Sequence, residues 1–225
     1  AYTFQNIYVG QNPFTSPALF SMIPAAELAE GSFFPATGGM YNIVERLLGE
    51  ALKLGVSINF NSPVSRILIS GNRAKGILLE DAKTIEADLV ISNADLPYAY
   101  RELLPDRRRS ERIERMKYSC SALCFHWGLD KTYPQLDQHN VFLSDNFREG
   151  LNKIFREKTI GDNPCFYVHA PARNDPSAAP PGCDTISVAV GIGHVDRKMP
   201  QDWEKIKDNT RKAVLERLRK QGLDD

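Results

Sequence analysis

The chain has 225 residues, of which 42% are hydrophobic and 25% are charged, so it is long enough to bury a core and has a globular composition. Its 28 lysines and arginines balance its 28 aspartates and glutamates, so no net charge favours nucleic acid as a partner. No apolar run is long enough to predict a membrane-spanning helix, and no amino-terminal pattern predicts a signal peptide. Because the first residue is Ala1, directly in an aromatic-rich segment, we expect an internal fragment of a longer protein.

The clearest predicted element is a helix in the sequence GGMYNIVERLLGEALKLG, residues 38–55. Its apolar residues recur at spacings of three and four, and Gly55 follows as a helix-ending glycine. Residues 56–60 then alternate between apolar and polar, which predicts a strand. Two further short strands, separated by turn residues, predict a small antiparallel excursion over residues 61–86.

The stretch ADLVISNAD, residues 87–95, returns to an apolar pattern. Leu89, Val90 and Ile91 are continuous, as expected for a strand covered on both faces of a parallel sheet. A helix is predicted to follow, with Asp95 at its N-cap and Pro97 in its first turn. For Asp95 taken alone, helix capping is favoured over contact with a ligand.

The second half of the chain has a different pattern. The segment SALCFHWGL alternates, with Phe125 and Trp127 on one face and Cys124 and His126 on the other. Further strands are predicted in NVFLS, CFYVHAP and DTISVAVGI, with amphipathic helices before and after them. The predicted fold class is therefore α/β plus α+β, with a sheet of three or four strands packed against helices in the second half.

No side-chain pattern predicts a catalytic centre, so the catalytic residues stay unknown. His126 and His169 lie in the middle of predicted strands, and no spacing of histidines and carboxylates predicts a metal site. A serine nucleophile elbow is absent, and the four cysteines form no C-x-x-C pair. Buried reduced cysteines are favoured over a disulfide or a metal.

Two other motifs leave alternatives open. Gly38 and Gly39, in FPATGGM, form either a simple turn into the helix or a place where the backbone approaches a ligand or another domain. The basic run between Arg107 and Lys117 favours a solvated helix face over contact with anionic lipid headgroups. The stretch GIGHVD imitates a phosphate-binding glycine loop, but no helix is predicted to open there.

Several segments, in order, resemble one family: NPFTSPALFSMI, GSFFPATGGMYNIVERLLGEALKLGVSINFNSPVSRI, ADLVISNAD, KYSCSALCFHWGLDK, HNVFLSDNF and CFYVHAPARNDPSAAPPGCDTISVAV. They are similar to the carotenoid phytoene desaturases of bacteria and fungi, flavoproteins related to the amine oxidases. The resemblance covers almost the whole chain. The sequence contains no G-x-G-x-x-G unit, which in such flavoproteins forms the pyrophosphate site. For that reason we expect the fragment alone to hold FAD poorly and to be inactive.

The resemblance also implies a domain organisation. Residues 1–36 would belong to a substrate or helical portion, residues 37–97 to a Rossmann-like FAD-binding domain, and residues 98–225 to an incomplete substrate-binding domain. In such proteins a helix and strand lead into a β-meander, and a return strand, here residues 87–92, re-enters the dinucleotide-binding sheet.

The same resemblance assigns candidate site residues. Those expected to contact FAD, with the backbone of the first on the adenine, are Val64, Ser92, Asn93, Ala94 and Asp95. Those expected to line an apolar tunnel for a polyene are Phe34, Gly38, Gly39, Phe125 and Phe166. For each phenylalanine, core packing remains the favoured alternative.

The function implied is desaturation of a phytoene-like C40 polyene, with quinone or oxygen as the electron acceptor. Peripheral attachment to the cytoplasmic side of a membrane is expected, because the substrate is lipid-soluble. A carotenoid isomerase or saturase is the nearest alternative. A non-catalytic, truncated polyene-binding module is the alternative from another class.

Overall fold

The computed structural model describes residues 6–7, 9–31, 37–104, 106–195 and 199–223. The chain divides into two compact units, one comprising Gly49–Lys117 and the other joining Ala1–Leu48 to Tyr118–Asp225. Both contain an antiparallel sheet with helices, which confirms the predicted mixture of α and β structure. Within the described ranges, no helix is both long and apolar enough to cross a bilayer.

The first helices are α1, Met22–Glu30, which follows a 3₁₀ turn at Ala18–Ser21, and α2, Tyr41–Lys53. Helix α2 confirms the predicted amphipathic helix. None of its residues is buried, however, and Leu47 on its apolar face is 67% exposed. The apolar stripe that defines the helix in the sequence therefore has no packing partner among the described residues.

The predicted excursion is a three-stranded antiparallel meander. Its strands are β1, Val64–Ser70, β2, Arg73–Leu79, and β3, Thr84–Glu86. Gly76 in β2 has φ of 147°, and a Cβ atom at this position would collide with the carbonyl oxygen of Ile85 on β3. Only glycine allows β3 to lie this close to β2.

The predicted strands at residues 56–60 and 87–92 are not present in the structure. Both segments are irregular, and Leu89 and Ile91 are 74% and 85% exposed. A strand is stable only where a neighbouring strand satisfies its backbone N–H and C=O groups. No described strand pairs with either segment.

Two short helices follow the meander. Helix α3, Leu96–Tyr98, continues into a π-helical turn at Ala99–Leu103, and α4 spans Arg107–Glu114. The Asp106 carboxylate accepts a hydrogen bond from the backbone N–H of Arg109, which caps α4. The buried apolar residues of this unit come from the meander and from these helices: Ile67, Leu79, Ala99, Leu103 and Ile113.

The other unit is built on a four-stranded antiparallel sheet with the order β4-β7-β6-β5. The strands are β4, Ser121–Leu129, β5, His139–Phe142, β6, Phe166–His169, and β7, Asp184–Ile192. Helix α5, Phe147–Asn152, continues as a π-helical turn at Lys153–Glu157, and α6 spans Trp203–Arg219. Short 3₁₀ turns at Pro171–Arg173 and Pro176–Ala178 lie between β6 and β7.

One face of this sheet carries the hydrophobic core. Phe166, Val188 and Val190 are almost fully buried, and they cluster with Val214 and Leu218 of α6. Burying a side chain of this kind contributes roughly 1.5–3 kcal/mol. We call the opposite side of the sheet the open face, because its residues alternate with those of the core and remain wholly or partly exposed.

A buried ion pair fixes the loop between β6 and β7. Nη2 of Arg173 lies 2.7 Å from Oδ2 of Asp184, whose side chain is fully buried. The same guanidinium donates to the backbone carbonyls of Tyr133 and Leu136. Since both partners are hydrogen-bonded, the loop that carries RNDPSAAPPG is held to the core edge of the sheet.

Candidate functional site

Val64 lies where a backbone contact to a ligand is feasible. It opens β1, an edge strand that pairs with β2 on one side only among the described strands. The register shifts between Val64 and Arg66, so the ladder is irregular at this point. An edge strand presents backbone donors and acceptors outward, as recognition of a planar heterocycle through the main chain requires.

The other candidates in this unit, residues 92–95, are all exposed and irregular. The backbone N–H of Ala94 donates to Oγ of Ser92 at 3.4 Å. Asp95 occupies the N-cap position of α3, but its side chain accepts no capping hydrogen bond. Its carboxylate is therefore not committed to the helix, contrary to the capping role favoured from the sequence.

Two of the predicted tunnel-lining phenylalanines, Phe125 and Phe166, lie in the hydrophobic core and not on the open face. Phe166 is fully buried and Phe125 is 9% exposed, and both lie in the core under α6. We therefore correct their assignment: alternation along β4 and β6 directs these side chains to the core face, away from the open face. Phe34 falls outside the described residues.

The turn at Gly38 and Gly39 binds a carboxylate of the same chain through backbone N–H groups. Both have positive φ, 76° and 62°, and the backbone N–H of Gly38 donates to Oδ2 of Asp175 at 2.9 Å. Oδ1 of Asp175 accepts from the backbone N–H and the hydroxyl of Ser177. The pKa of Asp175 is lowered, first by the Ser177 hydroxyl and also by the amides of Gly38 and Gly39. The glycine pair thus connects the loop at residues 174–177 to the turn that precedes α2.

Three of the four histidines lie in one transverse row on the open face. Strand register places His126 of β4 opposite Ser187 of β7, Ser187 opposite His169 of β6, and His169 opposite His139 of β5. We call these four residues the histidine row. Nδ1 of His126 lies 2.9 Å from Oγ of Ser187, and the rings of His139 and His169 stack at 5.2 Å.

Tyr167 extends the row along β6. Its hydroxyl lies 2.5 Å from Nδ1 of His139. Burial raises the pKa of Tyr167, so the phenol keeps its proton and can donate it in this contact. Burial, with a smaller contribution from His139, lowers the pKa of His169. His169 is therefore neutral near pH 7, and it can accept a proton.

An apolar pocket closes one end of the open face. Gly191 of β7 has the same orientation as Ala189 and Ser187, and it lies against the side chains of Ile154 and Ile7. The other lining residues are mostly apolar: Phe147, Gly150, Leu151, Ile160, Gly161, Pro164 and Cys165. Shape and apolar area are what such a pocket offers a ligand.

Sequence reasoning placed His126 and His169 on strands but did not bring them together. Alternation gives the face of a side chain, whereas the row depends on which residues of different strands lie opposite one another. Nor did the spacing of Gly38 and Asp175, 137 residues apart, predict their contact. Across the described ranges, no group of three or more His, Cys, Asp or Glu side chains is placed to hold a metal ion.

A model of the flavin containing amine oxidoreductase family matches residues 3–223. The chain is 42% identical over 197 residues to a phytoene desaturase of Cercospora nicotianae, a match that covers 86% of this chain and 32% of the relative. It is 39% identical to a phytoene desaturase of Phycomyces blakesleeanus, covering 99% of this chain and 39% of the relative. A zeta-carotene-forming phytoene desaturase of Myxococcus xanthus is 38% identical, covering 99% and 43%.

Two solved structures share the fold at low sequence identity. An oxidoreductase from Methanosarcina mazei matches with a TM-score of 0.56 and 19% identity, over 79% of this chain and 38% of the other. A reduced UDP-galactopyranose mutase matches with a TM-score of 0.53 and 13% identity, over 81% and 36%. The chain therefore spans less than half the length of these relatives and structural neighbours.

The contact between Asp175 and Gly38 predicts a specific pH dependence. Because the folded-state pKa of Asp175 is lowered, the contact is complete at and above the ordinary aspartate pKa and is lost as pH falls through the lower, folded-state value. The amide chemical shift of Gly38, followed by NMR, should therefore titrate only below the ordinary aspartate range.

The Asp175→Asn variant should abolish that titration and speed amide hydrogen exchange at residues 37–40. Asp137→Asn is a matched control, since Asp137 is an exposed carboxylate on another loop. A Gly38 shift that titrates identically in Asp175→Asn would contradict the assignment.

Proposed function

The chain belongs to the flavin-containing amine oxidoreductase family, and from that premise we propose that it is part of an FAD-dependent phytoene desaturase of carotenoid biosynthesis. Such an enzyme introduces conjugated double bonds into a C40 polyene. The observation that carries the proposal is identity of 38–42% to relatives named phytoene desaturases, over 86–99% of this chain. The activity is proposed for the complete reading frame that contains the chain.

The chain's contribution to FAD binding is proposed for the unit Gly49–Lys117. The outer edge of β1 fits the group, because Val64 can offer backbone atoms to the adenine where β1 has no second described neighbour. Ser92, Asn93 and the uncapped Asp95 supply exposed polar atoms. We also propose that residues 56–60 and 87–92 become strands of a Rossmann-like sheet beside a further parallel strand.

Substituting Val64 separates a backbone contact from a side-chain contact. Val64→Pro removes the amide donor, while Val64→Ala keeps it, and proline is tolerated on edge strands. One lost hydrogen bond contributes about 0.5–1.5 kcal/mol, so FAD affinity should fall about 2- to 13-fold in Val64→Pro only. Flavin fluorescence titration of the complete reading frame measures this.

Amide hydrogen exchange in the same samples checks the fold. Residues 89–91 should be protected in the complete reading frame if they form a strand. Equal FAD affinity in both Val64 variants would remove the adenine contact from the proposal. Rapid exchange at residues 89–91 would contradict the return strand.

The substrate side is proposed for the open face of the four-stranded sheet. Val141 of β5 is 48% exposed there, opposite Tyr167 of β6, which in turn lies opposite the small residue Ala189 of β7. The apolar pocket that Gly191 lines lies further along β7. A hydrocarbon offers no hydrogen-bonding groups, so it is recognised through shape and apolar area. FAD, when bound, supplies the redox chemistry, and the protein orients the polyene and excludes water.

The complete reading frame, supplied with FAD and phytoene, should yield products with longer conjugated chromophores. Chromatography with absorbance detection measures this directly, because each new conjugated double bond shifts the spectrum to the red. The control is the same reaction without phytoene. Unchanged phytoene in the presence of oxidised FAD and an added quinone or oxygen would reject the desaturase.

An isomerase or saturase would also bind flavin and polyene. It is distinguished by its product, which would keep or shorten the conjugated system. A non-catalytic polyene-binding module would bind phytoene without consuming it. The relatives' names favour desaturation over both alternatives.

Attachment to a membrane surface, on the cytoplasmic side, and a quinone or oxygen as electron acceptor complete the proposal. Helix α4 and the residues after it carry four exposed cations without an ion pair to a described residue: Arg108, Arg112, Arg115 and Lys117. Met116 and Leu96 in the same unit are exposed apolar residues. Cations beside apolar groups suit an anionic lipid surface.

Co-sedimentation with vesicles tests this surface. A triple change, Arg108→Ser, Arg112→Ser and Arg115→Ser, should weaken binding to phosphatidylserine-containing vesicles by about 150-fold, at about 1 kcal/mol per cation. The charge-matched control changes three cations on α6: Lys205→Ser, Lys212→Ser and Arg219→Ser. Equal loss in both triple variants would assign binding to net charge instead. Loss in neither would reject this surface.

A further inference from the structure

The open face carries titratable groups that hydrocarbon recognition does not need. On the four strands of this face, the titratable side chains are those of Cys124, His126, His139, Tyr167 and His169. The carboxylate on these strands, Asp184, is buried on the core side with Arg173. A polyene gains nothing from polar groups along its length, so their grouping calls for a chemical role.

Desaturation itself requires a proton acceptor. Forming a carbon–carbon double bond from a single bond removes two hydrogens from adjacent carbons. One leaves with its electron pair, as a hydride to the flavin, and the other leaves as a proton. The electron pair of the second C–H bond becomes the new π bond. A deprotonated base near the polyene therefore takes one proton per double bond formed.

Within the histidine row, His169 differs from its neighbours. Nδ1 of His139 contacts the Tyr167 hydroxyl, and Nδ1 of His126 contacts the Ser187 hydroxyl. His169 is half-buried, and neither of its ring nitrogens is hydrogen-bonded to a described residue. The stack on His139 and the aligned Tyr167 ring fix the plane of the imidazole.

We propose that His169 is the proton acceptor of the desaturation, held in place by His139 and Tyr167. The inference rests on the proposed function. After transfer, the products are the new double bond, the reduced flavin and a protonated His169. The proton then passes from the half-buried His169 ring to solvent. The lowered pKa of His169 keeps the imidazole neutral, and therefore competent, near pH 7.

The pH profile is the first test. Turnover in the complete reading frame should fall as pH decreases through a pKa below the ordinary histidine value, because protonated His169 cannot accept a second proton. His169→Gln should lose that acidic limb and reduce kcat by about 100-fold or more, within the range of general base catalysis. KM for phytoene should change little, since binding depends on apolar area.

His194→Gln is the matched control. His194 lies against Tyr118, outside the histidine row, so its replacement should leave both kcat and the acidic limb unchanged. A His169→Gln variant with wild-type turnover and an intact acidic limb would overturn the proposal while the desaturase stands. Absence of any desaturated product from the wild-type protein would overturn the function, and the proposal with it.

A measurement on the unaltered protein does not depend on a variant folding. NMR of ¹⁵N-histidine in the complete reading frame, in detergent micelles, should show His169 neutral at pH 7. Adding phytoene should shift the His169 resonances and lower its pKa further, as the polyene displaces water, while His194 stays unchanged. A His169 signal insensitive to phytoene would place the substrate elsewhere and reject His169 as the acceptor.

Discussion

Strand β7 is the element on which the four-stranded sheet depends. It pairs with β4 on one side and with β6 on the other, so its nine residues set the register of both neighbours. Its burial alternates without exception, and every second side chain enters the core beneath α6. A slip of one residue would place Val188 and Val190 on the open face and Ser187 in the core, a change that apolar burial opposes strongly.

Because the register is fixed in this way, the two faces of the sheet carry different kinds of residues. The core face is filled by phenylalanine, valine and isoleucine, which pack against α6. The open face carries small residues along β7, and histidines and a tyrosine on the other strands of the sheet. Core packing on one side of the sheet fixes the strand register, and this register aligns the histidine row on the opposite side. The ion pair of Arg173 and Asp184 then locks the loop that holds Asp175.

The unit Gly49–Lys117 follows a different rule. The three strands of its meander hydrogen-bond to one another, and the meander is present in the structure. Residues 56–60 and 87–92 carry the residue pattern of buried strands but are irregular. Backbone hydrogen bonding explains the difference. Strands of a hairpin satisfy each other's N–H and C=O groups, whereas a parallel strand needs a partner strand that is distant in sequence. The exposed apolar stripe of α2 is comparable, since no described residue packs against this amphipathic face.

The sequence alone determined the periodic elements and the faces of their residues. Helix α2, the meander, and the two-faced strand β4 follow from local alternation and turn chemistry, and the family follows from motifs along the chain. Register and long-range contacts needed the tertiary structure. The family resemblance assigned Phe125 and Phe166 to a tunnel, with core packing as the favoured alternative, and local alternation alone does not distinguish a core face from a ligand face. The row of His126, His169 and His139, and the grip of Asp175 on Gly38, depend on pairings between distant segments, which only the folded chain decides.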